Sequence, residues 1–358
     1  MSQSKWSKVM LLDCGPRRMK ARILTLPLAA LLASHAQAQA QQPMDAAALF
    51  GKGTPIGHDG EFATPIGYAL FADGSLAVAD YGRFDVTRLS PDGKVLWRSG
   101  RKGGGPGEFQ LPVRSMVLDD QSVYVLDAGK GGVVTHLGPD GKYMGEVTGD
   151  IRLRTEAMLL LPTGHIAILG PTDDPRGRGA AIHIFTTRLQ HVRSFGRLPE
   201  MKDPRVLTSF GVGGLTLTPD GQLLHTRFYP YEVSKYTIEG TELFRLRVPL
   251  AVTAPEEFVR IDVFEGRVTR IVTPHLLRPR PVHELGAGYF LGGRSAGKTN
   301  SLDVINRDGQ IVSTFPFPDH WEGVVAIDRA RRHFWFSGEE NDVPVLWRVP
   351  FSAGVPPS

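Results

Sequence analysis

Cysteine is all but missing from this 358-residue chain, which carries a single one, Cys14. A lone thiol excludes a disulfide-stapled scaffold and the zinc patterns built on paired cysteines. Histidine spacing of the metal-binding kind is missing too. His165, His183, His191, His225, His275 and His283 are scattered, with no His-x-x-x-His among them. No apolar run is long enough for a membrane-crossing helix. Nor does any long stretch hold a helical apolar period. The one short helix predicted covers Ala254 to Phe264, with Pro255 near its start and Glu256-Glu257 in its first turn.

A surplus of one charge is lacking as well, once the first residues are set aside. Met19-Lys20-Ala21-Arg22, the apolar run Ile23 to Ala33 and the small-residue sites Ala36-Gln37-Ala38 and Ala38-Gln39-Ala40 have the form of a secretory signal peptide over residues 1–40. Met19 is an alternative start, with residues 1–18 upstream of it. Of 41 Lys/Arg and 37 Asp/Glu, six and one fall in residues 1–38, so the remainder has a net charge of −1. That balance offers no basic footprint for nucleic acid. The leader, which also takes Cys14 with it, implies a secreted or periplasmic product with no membrane span after its removal.

Glycine and proline are plentiful instead, 41 and 27 residues, and they recur in register. Gly107-Glu108-Phe109-Gln110-Leu111-Pro112 opens a unit of short apolar runs, Val113 to Leu118, Val123 to Leu126 and Gly132 to Leu137, that ends in the turn Pro139-Asp140-Gly141-Lys142. A shift of 47 residues superposes Gly60-Glu61-Phe62-Ala63-Thr64-Pro65, then Asp80 on Asp127, and after one inserted residue Pro91-Asp92-Gly93-Lys94. Repeated turn residues mean a repeated backbone path. Asp-Gly turns between alternating apolar runs mark hairpins. More divergent units follow, with strands expected at 157–161, 165–169, 182–186 and 192–195, at 213–218, 223–227, 233–238 and 243–248, and at 282–285, 289–291, 302–306 and 311–315. The last unit, 324–327, 333–337 and 345–349, lacks a fourth strand. Residues 45–60 supply one, since Leu49-Phe50 aligns with Leu96-Trp97 and Gly53 with Gly100. The expectation is an all-β, six-bladed β-propeller of four-stranded antiparallel blades. It is a single domain over 45–350 with a tail at 351–358, closed by the N-terminal strand joining the C-terminal blade and leaving no free sheet edge at the closure.

The run Gly-Pro-Gly-Glu-Phe-x-x-Pro, then Val-x-x-Asp, then Pro-Asp-Gly-Lys resembles the NHL-repeat type of six-bladed propeller in its secreted bacterial form. The match is good over residues 49–146 and faint over 155–349. The strand-end aspartate is present as Asp80 and Asp127, and Gly170, Arg227 and Gly293 stand near its place in later units. The resemblance implies ligand contact at one end of a central channel. Six-bladed relatives include metal-dependent lactonases and a zinc lyase acting on modified peptide C-termini, and some NHL propellers bind nucleic acid.

Two motifs fail on context. Gly292 to Thr299 matches the phosphate-binding P-loop letter for letter and contains Gly293-Arg294-Ser295-Ala296-Gly297, the form of a nucleophile elbow. Both need a helix directly after the loop, whereas Leu302-Asp303-Val304-Ile305 reads as strand. The topology then divides the loops. Tight Asp-Gly turns at 73–74, 92–93, 140–141, 220–221 and 308–309 fall on one face and long loops on the other. Long loops on a rigid scaffold are where binding residues gather. These carry Arg83, Arg101, Lys102, Lys130, Arg176, Arg178, Arg205, Arg227, Arg294 and Lys298. Arg83, Arg101, Lys130, Arg227 and Arg294, with Asp80 and Asp127, form the expected site for a polar or anionic ligand or a protein partner. Asp80 and Asp127 have a second reading, as caps that accept backbone N–H groups of the following loop. No metal ligand set, cofactor or catalytic constellation is assigned. Calcium or zinc at the channel mouth belongs to the alternative of a lactonase-like hydrolase or a lyase. A monomer is expected.

Overall fold

The computed structural model describes residues 49–57, 60–150, 152–200, 212–249, 260–264, 267–272, 278–296, 299–317 and 320–351. The expected leader, Arg205, His275 and Lys298 lie outside them. All regular structure in these residues is β, and no α-helix is present among them.

Six four-stranded antiparallel sheets form the blades of a six-bladed propeller. The first comprises β2 (Pro65–Leu70), β3 (Leu76–Asp80), β4 (Asp85–Leu89) and β5 (Val95–Ser99). The second holds β6 (Pro112–Val117), β7 (Val123–Asp127), β8 (Val133–Leu137) and β9 (Tyr143–Val147). The third holds β10 (Ala157–Leu160), β11 (Ile166–Leu169), β12 (Ala180–Phe185) and β13 (His191–Arg197). The fourth holds β14 (Gly214–Leu217), β15 (Leu223–Arg227), β16 (Glu232–Tyr236) and β17 (Glu242–Arg247). After a separate hairpin of β18 (Arg260–Phe264) and β19 (Arg267–Val272), the fifth holds β20 (Arg278–Gly286), β21 (Tyr289–Ala296), β22 (Thr299–Ile305) and β23 (Ile311–Pro316). The sixth takes β24 (Trp321–Asp328), β25 (His333–Glu340) and β26 (Val343–Pro350), and its outermost strand is β1 (Thr54–Ile56) from the other end of the chain.

That closure was expected, but its register differs. Thr54, Pro55 and Ile56 pair with Arg348, Trp347 and Leu346, and Phe50 makes only an isolated bridge to Phe351. Gly57 therefore takes the place of Gly100, not Gly53. The glycine-rich segment at 101–108 is four residues longer than its counterpart, so an ungapped alignment slides the strand before it. The helix expected at Ala254 to Phe264 is corrected over its described part: residues 254–259 lie outside the described residues, and 260–264 are strand β18, paired with β19. A hairpin partner satisfies their backbone groups, which local helix signals could not foresee.

Burial explains the sequence patterns. Second strands are covered on both sides by neighbouring blades, so Leu76–Asp80 and Val123–Asp127 are buried throughout. Fourth strands lie at the rim, and Val95–Ser99 and Tyr143–Val147 alternate between exposed and half-buried residues. Each seam between blades has its own apolar cluster. Phe71, Ala79, Val86, Phe109 and Val125 fill the first-to-second, and Ile56, Phe62, Leu76, Trp335 and Leu346 fill the sixth-to-first. The turns on one face are held by their aspartates. Asp73 accepts the Ser75 amide at 2.9 Å and Asp120 that of Ser122 at 3.0 Å. Gly74 there has φ +82°, and Gln121 adopts the same left-handed conformation at +64°.

Candidate functional site

Several of the expected loop-face residues fall on a shared position of the fold. Counting four residues on from Leu76, Val123, Ile166, Leu223, Phe290 and Phe334, each paired with the last residue of the third strand or its equivalent, reaches Asp80, Asp127, Gly170, Arg227, Arg294 and Gly338. In the fifth blade the position is Arg294, one residue past Gly293. Asp80, Asp127, Arg227 and Arg294, four of the seven candidates, thus share this position, one in each of four blades, and do not come together.

Their side chains are already engaged. Asp80 is buried and accepts the amides of Ala63, Thr64 and Arg83 at 2.7, 2.9 and 3.0 Å. Asp127 accepts those of Gln110, Leu111, Gly129 and Lys130 at 2.8, 2.8, 2.9 and 3.3 Å. Each carboxylate ties the loop arriving from the previous blade to the loop leaving its own strand. In the third and sixth blades a Cβ at Gly170 or Gly338 would strike the carbonyl of Arg154 or His320. Main chain there fills the space the carboxylate takes elsewhere.

The basic candidates are paired locally. Arg83 reaches Asp85 at 3.3 Å, and Arg101, which is exposed, meets Glu108 at 2.8 Å. Lys130 bonds Glu146 at 2.7 Å and the Gly105 carbonyl at 3.1 Å. Arg227 pairs with Glu232, and Arg294 with Asp303 at 2.9 Å. Burial holds the carboxyls of Asp85 and Asp303 above their usual range, against the pull of these arginines. Behind the P-loop-like letters, β21 turns into β22 with Ala296 opposite Thr299, so no helix follows. Gly292 and Gly293 are small because Tyr231 and Arg280 press on them.

A different set of residues surrounds the axis. The innermost strands β2, β6, β10, β14, β20 and β24 line a cavity of about 730 Å³, the central channel. Much of its wall is apolar, including Ile66, Met116, Leu159, Leu215 and Val324, but Arg114, Glu156, Arg280, Glu322, His283 and Arg329 also face it. Arg114 donates to the Glu156 carbonyl at 2.7 Å and stands 3.7 Å from its carboxylate, while burial lowers its pKa. Tyr68 donates to the Pro65 carbonyl at 2.7 Å. Burial, then the nearby Glu322 and Asp80 charges, push its hydroxyl well above the usual range, with Ser337 opposing by a hydrogen bond. Burial, with Arg329 beside it, brings His283 down to about 4, so its imidazole is neutral near pH 7.

A search for function in long loops passes over these residues because they sit in short strands. The signal that was present is a charge where an apolar wall residue is expected: Arg114 in β6, Arg280 in β20 and Glu322 in β24. The scattered histidines divide likewise. His183 bonds the Gly170 carbonyl at 2.8 Å and Ser194 at 2.7 Å, and His225 bonds the Val212 carbonyl at 2.7 Å. Both are buried parts of the framework.

A metal site requires several donors converging on one point. Among the described residues no group of three or more His, Cys, Asp or Glu is placed to hold an ion. Glu156 and Glu322 enter the channel from different blades, and Glu156 has Arg114 and Arg154 beside it. These residues do not fit a divalent cation. Among the described residues no helix is long and apolar enough to cross a membrane.

Comparison with protein-family models finds no match, and neither does comparison with curated protein sequences. Solved structures do match. A candidate exported protein from Bacteroides fragilis is similar at 11% identity and a TM-score of 0.58, over 86% of this chain and 96% of its own. A member of the DUF4221 family from Bacteroides vulgatus gives 9% and 0.55, over 85% and 97%. Virginiamycin B lyase from Staphylococcus aureus gives 12% and 0.50, over 84% and 99%. At such identities the likeness establishes a fold, and what this chain shares with all three is the propeller.

Proposed function

We propose that this protein is an exported, NHL-like binding propeller that takes a small polar or anionic ligand at the mouth of its central channel. The observation that carries the reading is the 730 Å³ cavity, within the usual range for small-molecule sites. Its wall is mostly apolar with a few charged groups. Arg114 and Arg280 offer guanidinium donors for a carboxylate or phosphate, and Glu156 and Glu322 accept from hydroxyl or amine groups. The outer residues Arg83, Arg101, Lys130, Arg227 and Arg294 shape the loops around this mouth, with Asp80 and Asp127 fixing them in place. The leader expected at residues 1–40 and the similarity to a candidate exported protein support a secreted or periplasmic location. The near-neutral mature charge supports a ligand other than nucleic acid.

A thermal-shift screen of small hydroxy acids, sugar acids and phosphates tests the reading. Stabilisation lost on Arg280→Glu and kept on Arg83→Glu supports it. No stabilisation by any anionic compound, or loss only with the outer variant, overturns it. Turnover of a lactone by the purified protein would replace binding with the hydrolase alternative at the same cavity.

A further inference from the structure

The regular repeat fills two seams in the same way. In the sixth-to-first seam Phe62 inserts, and a Cβ on Gly57 would lie 2.6 Å from its ring. In the first-to-second seam Phe109 inserts, and a Cβ on Gly100 would lie 2.5 Å from its ring. Gly57 and Gly100 each follow the last paired residue of a fourth strand, Ile56 opposite Leu346 and Ser99 opposite Val86. Both have positive φ, +94° and +103°. A second ring, Phe84, packs against the same cluster from the position just before Asp85.

The second-to-third seam has lost all of these. Val147 opposite Val134 is the matching pair, and the residue after it is Thr148 in place of glycine. The residue before Val133, where Phe84 stands in the first blade, is Gly132. The connection into the third blade contributes half-buried Leu153 in place of a phenylalanine. A cavity of about 230 Å³ remains there. Leu126, Val134, Met158, Ile168, Phe185 and Leu189 form its apolar floor, and Gly131, Gly132, Thr148 and Gly149 lie at its edge. Two cations line it. The ammonium of Lys130 is held by Glu146 and the Gly105 carbonyl, whereas Arg152 is exposed.

We propose that this seam is a second binding site, separate from the channel, for an aryl-alkanoate: a phenyl ring in the vacated wedge and a carboxylate on Arg152. The shape argument is internal to the molecule, since phenyl rings occupy this location in two sister seams. Size agrees, because an apolar cavity of about 150 Å³ suffices for benzene. Arg152 supplies the charge complement, in a guanidinium suited to carboxylates.

Titration of the purified chain with 3-phenylpropionate, followed by calorimetry and ligand-observed NMR, tests the site. Saturable binding is expected at millimolar concentration, weaker by about tenfold in Arg152→Glu and for the uncharged 3-phenylpropanol. Leu153→Phe restores the ring and abolishes binding. Leu126→Phe, at a floor residue that the channel does not share, blocks the wedge and serves if the first variant does not fold. Arg280→Glu, in the channel, leaves binding unchanged. No saturable binding by the parent chain, or binding that survives both wedge variants, overturns the proposal. Equal affinity for hexanoate overturns the assignment of an aromatic ligand.

Discussion

Two neighbouring seams of this propeller solve one packing problem in different ways. Between the first and second blades Phe109 is fully buried, and Asp127 clamps the backbone that carries it by accepting the amides of Gln110 and Leu111. Between the second and third, the clamp residue is Gly170, the ring is absent and about 230 Å³ is open. A sealed, empty void of that size would cost about 5 kcal/mol on the scale of core truncations. The comparison teaches that ring, glycine and aspartate form one device. Where the carboxylate is absent, the main chain at Arg154 moves onto the second strand, and the connection no longer carries a ring into the wedge.

The largest effect expected from breaking the filled seam comes from Phe109→Ala. Removing a fully buried phenylalanine costs about 3–5 kcal/mol. Leu153→Ala, at the half-buried counterpart, costs about 1 kcal/mol. Urea denaturation of both variants checks the ratio. Equal losses would mean that the two seams do not differ as described.

Asp127→Ala comes next. It leaves the amides of Gln110, Leu111 and Gly129 without their acceptor and removes a buried carboxylate, and about 3 kcal/mol is expected to be lost. Exchange of those amides should speed up, while the Arg154 and Gly170 amides, held by the carbonyls of Pro171 and Ala181, stay protected. Protection unchanged at residues 110 and 111 would sink the clamp.

How much of this was legible beforehand follows from the same contrast. Where the device is intact, glycine, phenylalanine, proline and aspartate recur because the backbone needs them, and the blades at 49–146 can be read from their letters. Where it is lost, only hairpin turns such as Asp220-Gly221 and Asp308-Gly309 remain, enough to count blades but not to fix positions. Hence the letters point to Gly293 where Arg294 stands; they point to Gly53 instead of Gly57 for a separate reason, the extra length of the segment at 101–108. The channel lining was illegible for another reason. Arg114, Arg280 and Glu322 are single charges in short strands, and only ring closure brings them to one axis.

Acid should weaken the fourth and fifth blades, which carry His225 and His283. His225 is fully buried, and burial lowers its pKa to about 4, with the Val212 carbonyl opposing. The unfolded chain, with an ordinary histidine near 6.5, binds the proton first. Stability contributed by neutral His225 is therefore complete above about pH 6.5 and declines as pH falls towards 4. His225→Gln, which keeps a donor for Val212, should flatten the melting-temperature profile between those limits. An unchanged slope would assign the acid sensitivity elsewhere.

The smallest effect sharpens the comparison by trying to erase it. Leu153→Phe places a ring where the second-to-third seam lacks one, beside Thr148 instead of a glycine. If the wedge is vacant, the added ring buries apolar surface without displacing neighbours, and a gain of about 1 kcal/mol is expected. If the seam has instead closed around Leu153, the ring overpacks it and stability falls by about 1–3 kcal/mol. The sign of the change in the denaturation midpoint decides between these. Thr148→Gly, combined with it, separates them further: it adds stability only where the ring needs the clearance that Gly57 and Gly100 give to Phe62 and Phe109.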